Sequence, residues 1–241
     1  LKNSLSDDEP GFTEDASTGS GVVLADGRSA IHRIPVLRSI DGVSDRFWDM
    51  FVVDAFIRNI DRNNTNWGVL RNPRGEFSLA PVYDNGNSFN NKRTDSGIER
   101  RLANPDLIRQ DALDVRSCYV TDRGKPIAPL KYLASGQDEE CTKALDRFME
   151  RYDPRSFHDL LGSIPSMSHG LTVVPDGFHE YHRRVCDYRY EHAFMEAWRD
   201  LHPTVGVPSS PEASVPEPLP DPDPSVLPSS SVPTCFDGPG M

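Results

Sequence analysis

The stretch from Ser44 to Ile60 places so much aromatic and aliphatic surface on a helical period that it has to be the inside of a core. Phe47, Phe51 and Ala55, with Trp48, Val52, Phe56 and Ile60, recur at the three- and four-residue spacing of an α-helix and form a wide apolar stripe. Ser44 is positioned to cap the start and Asp45 to favour the positive end of the helix dipole. The helix then runs directly into Asn59-Ile60-Asp61-Arg62-Asn63-Asn64-Thr65-Asn66, whose side chains compete for their own backbone and so predict a turn-rich loop.

Two short β-prone runs follow, Trp67 to Leu70 and Phe77 to Val82, separated by the turn Asn72-Pro73-Arg74-Gly75, which predicts a hairpin. The hairpin leads out through Tyr83-Asp84-Asn85-Gly86. Beyond it, apolar positions recur at helical spacing around Leu145 to Met149, Phe157 to Leu161 and Phe178 to Trp198, which predicts three or more further helices. The expected fold is α+β and mostly helical, with one core region over residues 31–202.

The two ends differ in character from this middle. Residues 1–30 are poor in large apolar side chains and rich in Ser, Gly and acids, and read as a flexible loop or linker. Gly19-Ser20-Gly21 lacks the lysine and following helix of a phosphate-binding glycine loop, and Lys2 is the only lysine before Lys92. Eleven of the 21 prolines lie between Pro203 and Pro239, mixed with Ser and acids, so residues 203–241 read as a disordered, partly polyproline-like tail. The mean hydropathy of -0.54 owes its polar excess to these ends.

A formal net charge of -11 with no basic run opposes direct binding to nucleic acid or to an anionic membrane surface. Neither a signal-peptide pattern nor an apolar run long enough to span a bilayer is present, so the expected location is the cytoplasm. Cys118, Cys141, Cys186 and Cys235 are spaced too widely for a metal knuckle and are expected as free thiols. Because the first residue is Leu1 and not Met, the sequence reads as starting partway through a longer product.

The helix, loop and hairpin together suggest chemistry. Asp61 opens the loop, Asn66 closes it five positions later, and Asp84 stands at the far end of the hairpin, which turns the chain back toward the loop. Magnesium prefers oxygen ligands and keeps several waters, so one carboxylate, one amide oxygen and the phosphates of a nucleotide make a suitable site. An aspartate at the head of the loop can orient an attacking hydroxyl, as phosphoryl transfer requires.

The run FWDMFVVDAFIRNIDRNNTNWGVL, followed by LAPVYDNG, closely resembles the C-terminal domain of HipA-like and CtkA-like serine/threonine kinases, which share a fold with the phosphatidylinositol kinases. The likeness continues more faintly through ECTKALDRFMERYDPRSFHDLLGSIP and YHRRVCDYRY. It implies the large lobe of such a kinase, with a small hairpin at the metal site. It also implies that Asp61 is the catalytic aspartate, Asn66 a metal ligand, and Asp84 the main Mg2+ ligand beside the phosphates of ATP. The implied partners are ATP, a protein substrate carrying a hydroxyl, and either an antitoxin-like protein or the N-terminal lobe that these residues do not supply.

Two positions depart from the family pattern. Asn63 stands where a histidine is expected, and Arg58 where the family places a small residue, often glycine. A pseudokinase-like interaction module, with the loop kept and turnover lost, is the rival reading. An acidic metal-dependent hydrolase is weaker, for want of a second cluster of acids or histidines. His179 and His182, three apart, read as exposed surface residues with no third metal ligand. Tyr181, Tyr188, Tyr190 and Trp198 read as helix packing.

Overall fold

The computed structural model describes residues 22–63, 65–90 and 92–203. The aromatic stripe makes helix α3, Val43–Ile57, buried on nearly all sides through Val43, Phe47, Trp48, Met50, Phe51, Val52, Ala55 and Phe56. The rest of the fold is wrapped around it. The helix begins at Gly42 in the left-handed region, φ 78°, without a side-chain cap, so Ser44 lies inside the first turn and does not cap it. It ends at Ile57, three residues short of the expected Ile60, because Arg58 also turns left-handed, φ 58°.

Helix α7, Glu139–Arg151, packs along α3 through Cys141, Ala144 and Leu145, a set spaced to face one neighbour. Asp138 caps it by accepting from the backbone N–H groups of Glu140 and Cys141, and the same carboxylate holds Arg28 at 2.7 Å. Toward its C-terminal end, α3 sends Phe56 into a nest of rings from Phe148, Tyr152, Phe157 and Phe194, with centroids 4.8 to 5.5 Å away. Trp48, nearer the other end, stacks on Tyr132 at 5.9 Å.

Residues expected to be linker fold from Val22 onward. Strand β1, Val22–Val23, pairs in parallel with β4, Tyr119–Val120, and α1, Leu24–Arg33, and α2, Pro35–Arg38, follow. Helix α1 buries only Leu24, Gly27 and Ile31, a stripe too narrow to stand out among its polar residues. The rest of the expected linker, with Gly19-Ser20-Gly21, and the proline-rich segment after Pro203 lie outside the described residues.

The expected hairpin forms as β2, Val69–Arg71, and β3, Phe77–Leu79, with Leu70 opposite Ser78. Its strands are shorter than the β-prone runs. The turn closes through Asn72, whose side chain accepts from the N–H groups of Arg74 and Glu76, and through Gly75 at φ 84°. A third pair, β5 Met167–Ser168 with β6 Leu171–Thr172, was not foreseen.

Helices α4, Asp95–Leu102, α5, Pro105–Leu113, and α9, Phe178–Arg189, enclose a second apolar cluster of Ile98, Ile108, Ala112, Tyr181 and Val185. Arg189, at the end of α9, is 1% exposed and donates to the carbonyls of Phe56, Asp111 and Ala112. It therefore satisfies the closing carbonyls of α3 and α5 together, at the negative ends of two dipoles. After it come a π-helical turn, Tyr190–Phe194, and α10, Met195–Leu201, while α6, Pro129–Ser135, and α8, Pro154–Gly162, complete the helices. The mostly helical, α+β expectation holds. Cys118, Cys141 and Cys186 are free thiols. No helix among the described residues is long and apolar enough to cross a membrane.

The histidine pair corrects the sequence reading. His182 is 2% exposed, enclosed by Phe89, Phe178 and Tyr181, while His179 bonds the Ile164 carbonyl at 2.8 Å. Burial, together with the charges of Arg189 and Arg93, pushes the His182 pKa down to about 3. Its folded pKa thus lies below its unfolded value near 6.5, so the unfolded state binds the extra proton in this window. The stability contributed by neutral His182 is complete above pH about 6.5 and is lost as pH falls toward about 3. A thermal melt series should fall by roughly 5 °C or more across this window, with a shallower slope for His182→Gln; equal slopes would contradict the assignment.

Candidate active site

The loop after α3 is built around one cation. Arg62 is 2% exposed and uses all five of its N–H groups. Nε and one Nη2 hydrogen reach the two oxygens of Asp54 at 2.8 and 3.0 Å, in the bidentate geometry that a guanidinium matches best. Nη1 donates to the Asn66 carbonyl at 2.8 Å and to the Tyr83 carbonyl, and the remaining Nη2 hydrogen goes to the side chain of Asn85. One side chain therefore joins α3, the end of the loop and the hairpin exit.

Burial works against charge on both partners, but the two are affected differently. For Asp54 burial dominates and raises the pKa against the pull of Arg62. For Arg62 burial is outweighed by the hydrogen bonds and charge of Asp54, which raise its pKa and keep it cationic. Asn59 completes the carboxylate's surroundings by donating to Asp54 Oδ1 at 3.1 Å, and its own side-chain oxygen accepts the Asp61 backbone N–H at 3.2 Å.

Asp61 and Asn66 meet across the loop: Asn66 Nδ2 donates to the Asp61 carbonyl at 2.6 Å. The amide oxygen of Asn66, touched by Thr65 Oγ1 at 3.2 Å, is the end left for further ligands. Asp84 stands on the exposed exit of the hairpin with φ 56°, a left-handed conformation that Asp tolerates better than most side chains. Its two neighbours, Tyr83 and Asn85, are both bonded to Arg62, and Tyr83 Oη donates to the Thr65 carbonyl at 2.9 Å. Phe89 N–H donates to the Ile57 carbonyl at 2.9 Å and returns the chain to the end of α3. All three residues singled out from the sequence thus belong to one cross-linked surface.

The departures from the family pattern have structural explanations. Arg58 occupies the left-handed residue that closes α3, a backbone state open to glycine without cost, and its side chain lies out against the Asp114 carbonyl at 3.2 Å. Burial lowers its pKa, Asp114 opposes that, and Arg93 adds to it. Asn63 donates to Asp61 Oδ1 at 3.0 Å, while its own oxygen accepts from the N–H and hydroxyl of Thr65 at 2.9 and 2.6 Å. A neutral amide thus holds the aspartate where a histidine was expected.

Sequence reasoning missed Asp54, Arg62, Asn85 and Asn87. Asp54 sits in the apolar stripe of α3 at a position whose burial demands a cation, and that was the one available signal. Cys118 donates its thiol to the Arg62 carbonyl at 3.1 Å, and burial raises its pKa to about 12, so it is a packing group and not a nucleophile at neutral pH. Among the described residues no group of three or more His, Cys, Asp or Glu gathers to hold a metal. The donors at hand are one carboxylate and one amide oxygen. That set fits magnesium, which keeps much of its water and takes phosphate oxygens as ligands.

Comparison with known proteins adds a likeness in sequence and in fold. No family model matches the chain. The serine/threonine-protein kinase CtkA of Helicobacter pylori is 32% identical over 124 residues, which cover 51% of this chain and 38% of that protein. The crystal structure of the H. pylori proinflammatory kinase CtkA superposes with a TM-score of 0.65 at 26% identity, over 76% of this chain and 62% of that one. The chain is similar in sequence and in fold to CtkA. It spans about two fifths of the length of its curated CtkA relative.

If Arg62 anchors this surface, removing it leaves Asp54 buried and unpaired and frees both the loop and the hairpin exit. Arg62→Leu should destabilise the chain by about 3–5 kcal/mol in urea denaturation. Arg62→Lys, with three donors on a point charge, should recover only part of that. A loss below about 1 kcal/mol in Arg62→Leu would show that the bonds are not holding the loop.

Proposed function

We propose that this chain is the large, catalytic lobe of an ATP- and magnesium-dependent serine/threonine protein kinase. The observation that carries the reading is the Arg62 anchor, which ties the Asn66 end of the loop and both neighbours of Asp84 to a single buried side chain. The CtkA likeness supplies the reaction class. In this reading the part of the site that grips the nucleotide phosphates from the other side comes from sequence beyond the matched portion.

Asp61 accepts a hydrogen bond from the acceptor hydroxyl and takes its proton as the new P–O bond forms and the bond to ADP breaks. The Asp61 carboxylate is poised for this by two amide donors, so the hydroxyl meets a base of fixed orientation. The Asn66 amide oxygen and the Asp84 carboxylate would hold magnesium, which supplies charge neutralisation for the transferred phosphoryl group. Asn63 takes over by hydrogen bonding the positional task expected of the histidine, which supports turnover over a loop kept for binding alone.

The two aspartates have separable tasks. In the complete protein, Asp84→Asn should abolish magnesium-dependent binding of an ATP analogue in titration calorimetry. Asp61→Asn should keep binding within about threefold while phosphate transfer falls by about 10²-fold or more. Equal loss of binding in both variants would show that the division of roles is wrong.

A further inference from the structure

Asp61 is gripped on both oxygens. Asn63 Nδ2 donates to Oδ1 at 3.0 Å, and Asn87 Nδ2 donates to Oδ2 at 3.0 Å. The two donors come from different places: Asn63 is in the loop itself, whereas Asn87 lies 26 residues on, just beyond Asp84 in the hairpin exit. That exit is pinned on either side of Asn87, by Asn85 to Arg62 and by the Phe89 N–H to the Ile57 carbonyl. Asn87 is therefore held in place by the chain around it and reaches the carboxylate from a fixed platform.

Resting on the kinase reading above, we propose that Asn87 is a positioning residue for Asp61, linking the orientation of the base to the segment that carries Asp84. A carboxylate free to rotate presents either oxygen in many directions. One held by two amide donors presents the remaining lone pairs in one direction, and the donors add no charge that titrates. Cys118, from the segment before β4, is close enough to feel the charges of Asp54, Asp61 and Arg62, and Arg62 in turn feels Asp84. Arg62 spends its donors on other acceptors, so among the described residues the two amides orient the Asp61 carboxylate.

The decisive variants are Asn87→Ala, which removes the donor to Oδ2, and Asn87→Asp, which keeps the shape and replaces the donor with a second carboxylate about 3 Å from Asp61. In the 241-residue chain at neutral pH, the 13Cγ signal of Asp61 should move in both variants relative to the unaltered sequence. In the complete protein, kcat should fall about tenfold in Asn87→Ala and about 10²-fold in Asn87→Asp, with affinity for the ATP analogue within about twofold. An unchanged melting temperature in Asn87→Ala would separate positioning from support of the fold. An Asp61 13Cγ signal unmoved in Asn87→Ala would overturn the proposal. If Asp61→Asn retains transfer, the kinase reading fails instead, and the 13Cγ shift still decides whether Asn87 holds Asp61.

Discussion

A buried guanidinium with five acceptors is the constraint on which the rest of this site depends. Taking Arg62 and Asp54 out of water costs several kcal/mol for each ion, and their mutual attraction returns that only because the bonding is bidentate and every remaining hydrogen is used. Such a pair is weak evidence for stability as such. Its consequence is registry: the Asp54 position on α3 dictates where Arg62 lies, and Arg62 dictates where the loop end and the hairpin exit lie. The α3 helix can serve as that reference because it is fixed on its other faces by α7, by the rings around Phe56 and by Arg189 on the Phe56 carbonyl.

The same logic explains how a polar loop can be precise. Asn59, Asn63, Asn66, Asn85 and Asn87 each donate through an amide to a defined acceptor or accept from a defined donor, so the loop holds together by short-range bonds and not by apolar burial. Amides suit this task since each offers both donors and acceptors without adding charge near the carboxylates. Asp84, by contrast, remains on the exposed side, open to the magnesium ion and nucleotide of the proposed reaction.

Much of this was legible in the residues. The aromatic period of α3, the polar run after it and the turn Asn72-Pro73-Arg74-Gly75 predict helix, loop and hairpin, and the structure has all three in that order. The ends were less legible. Gly42 and Arg58 bound α3 through left-handed backbone, which period cannot show, and Ser44 was a capping residue in the wrong place. Residues 22–30 looked like linker because α1 buries just three residues, one of them a glycine, and β1 needs a strand almost a hundred residues away to pair with. The Arg62 anchor was hidden for a related reason: a cation in a run of turn formers reads as exposed, and its acceptors include two backbone carbonyls that no side-chain pattern reveals.

The central claim is that Arg62 brings Asn66 and Asp84 to one magnesium position. It is tested most directly by paramagnetic broadening in the complete protein, with Mn2+ and a non-hydrolysable ATP analogue in place of magnesium and ATP. The account predicts that the Asn66 side-chain amide and the Asp84 signals broaden first and together, and that Arg62→Lys separates them by weakening one or both effects. Broadening centred on other residues, or an unaltered pattern in the Arg62 variant, would contradict it.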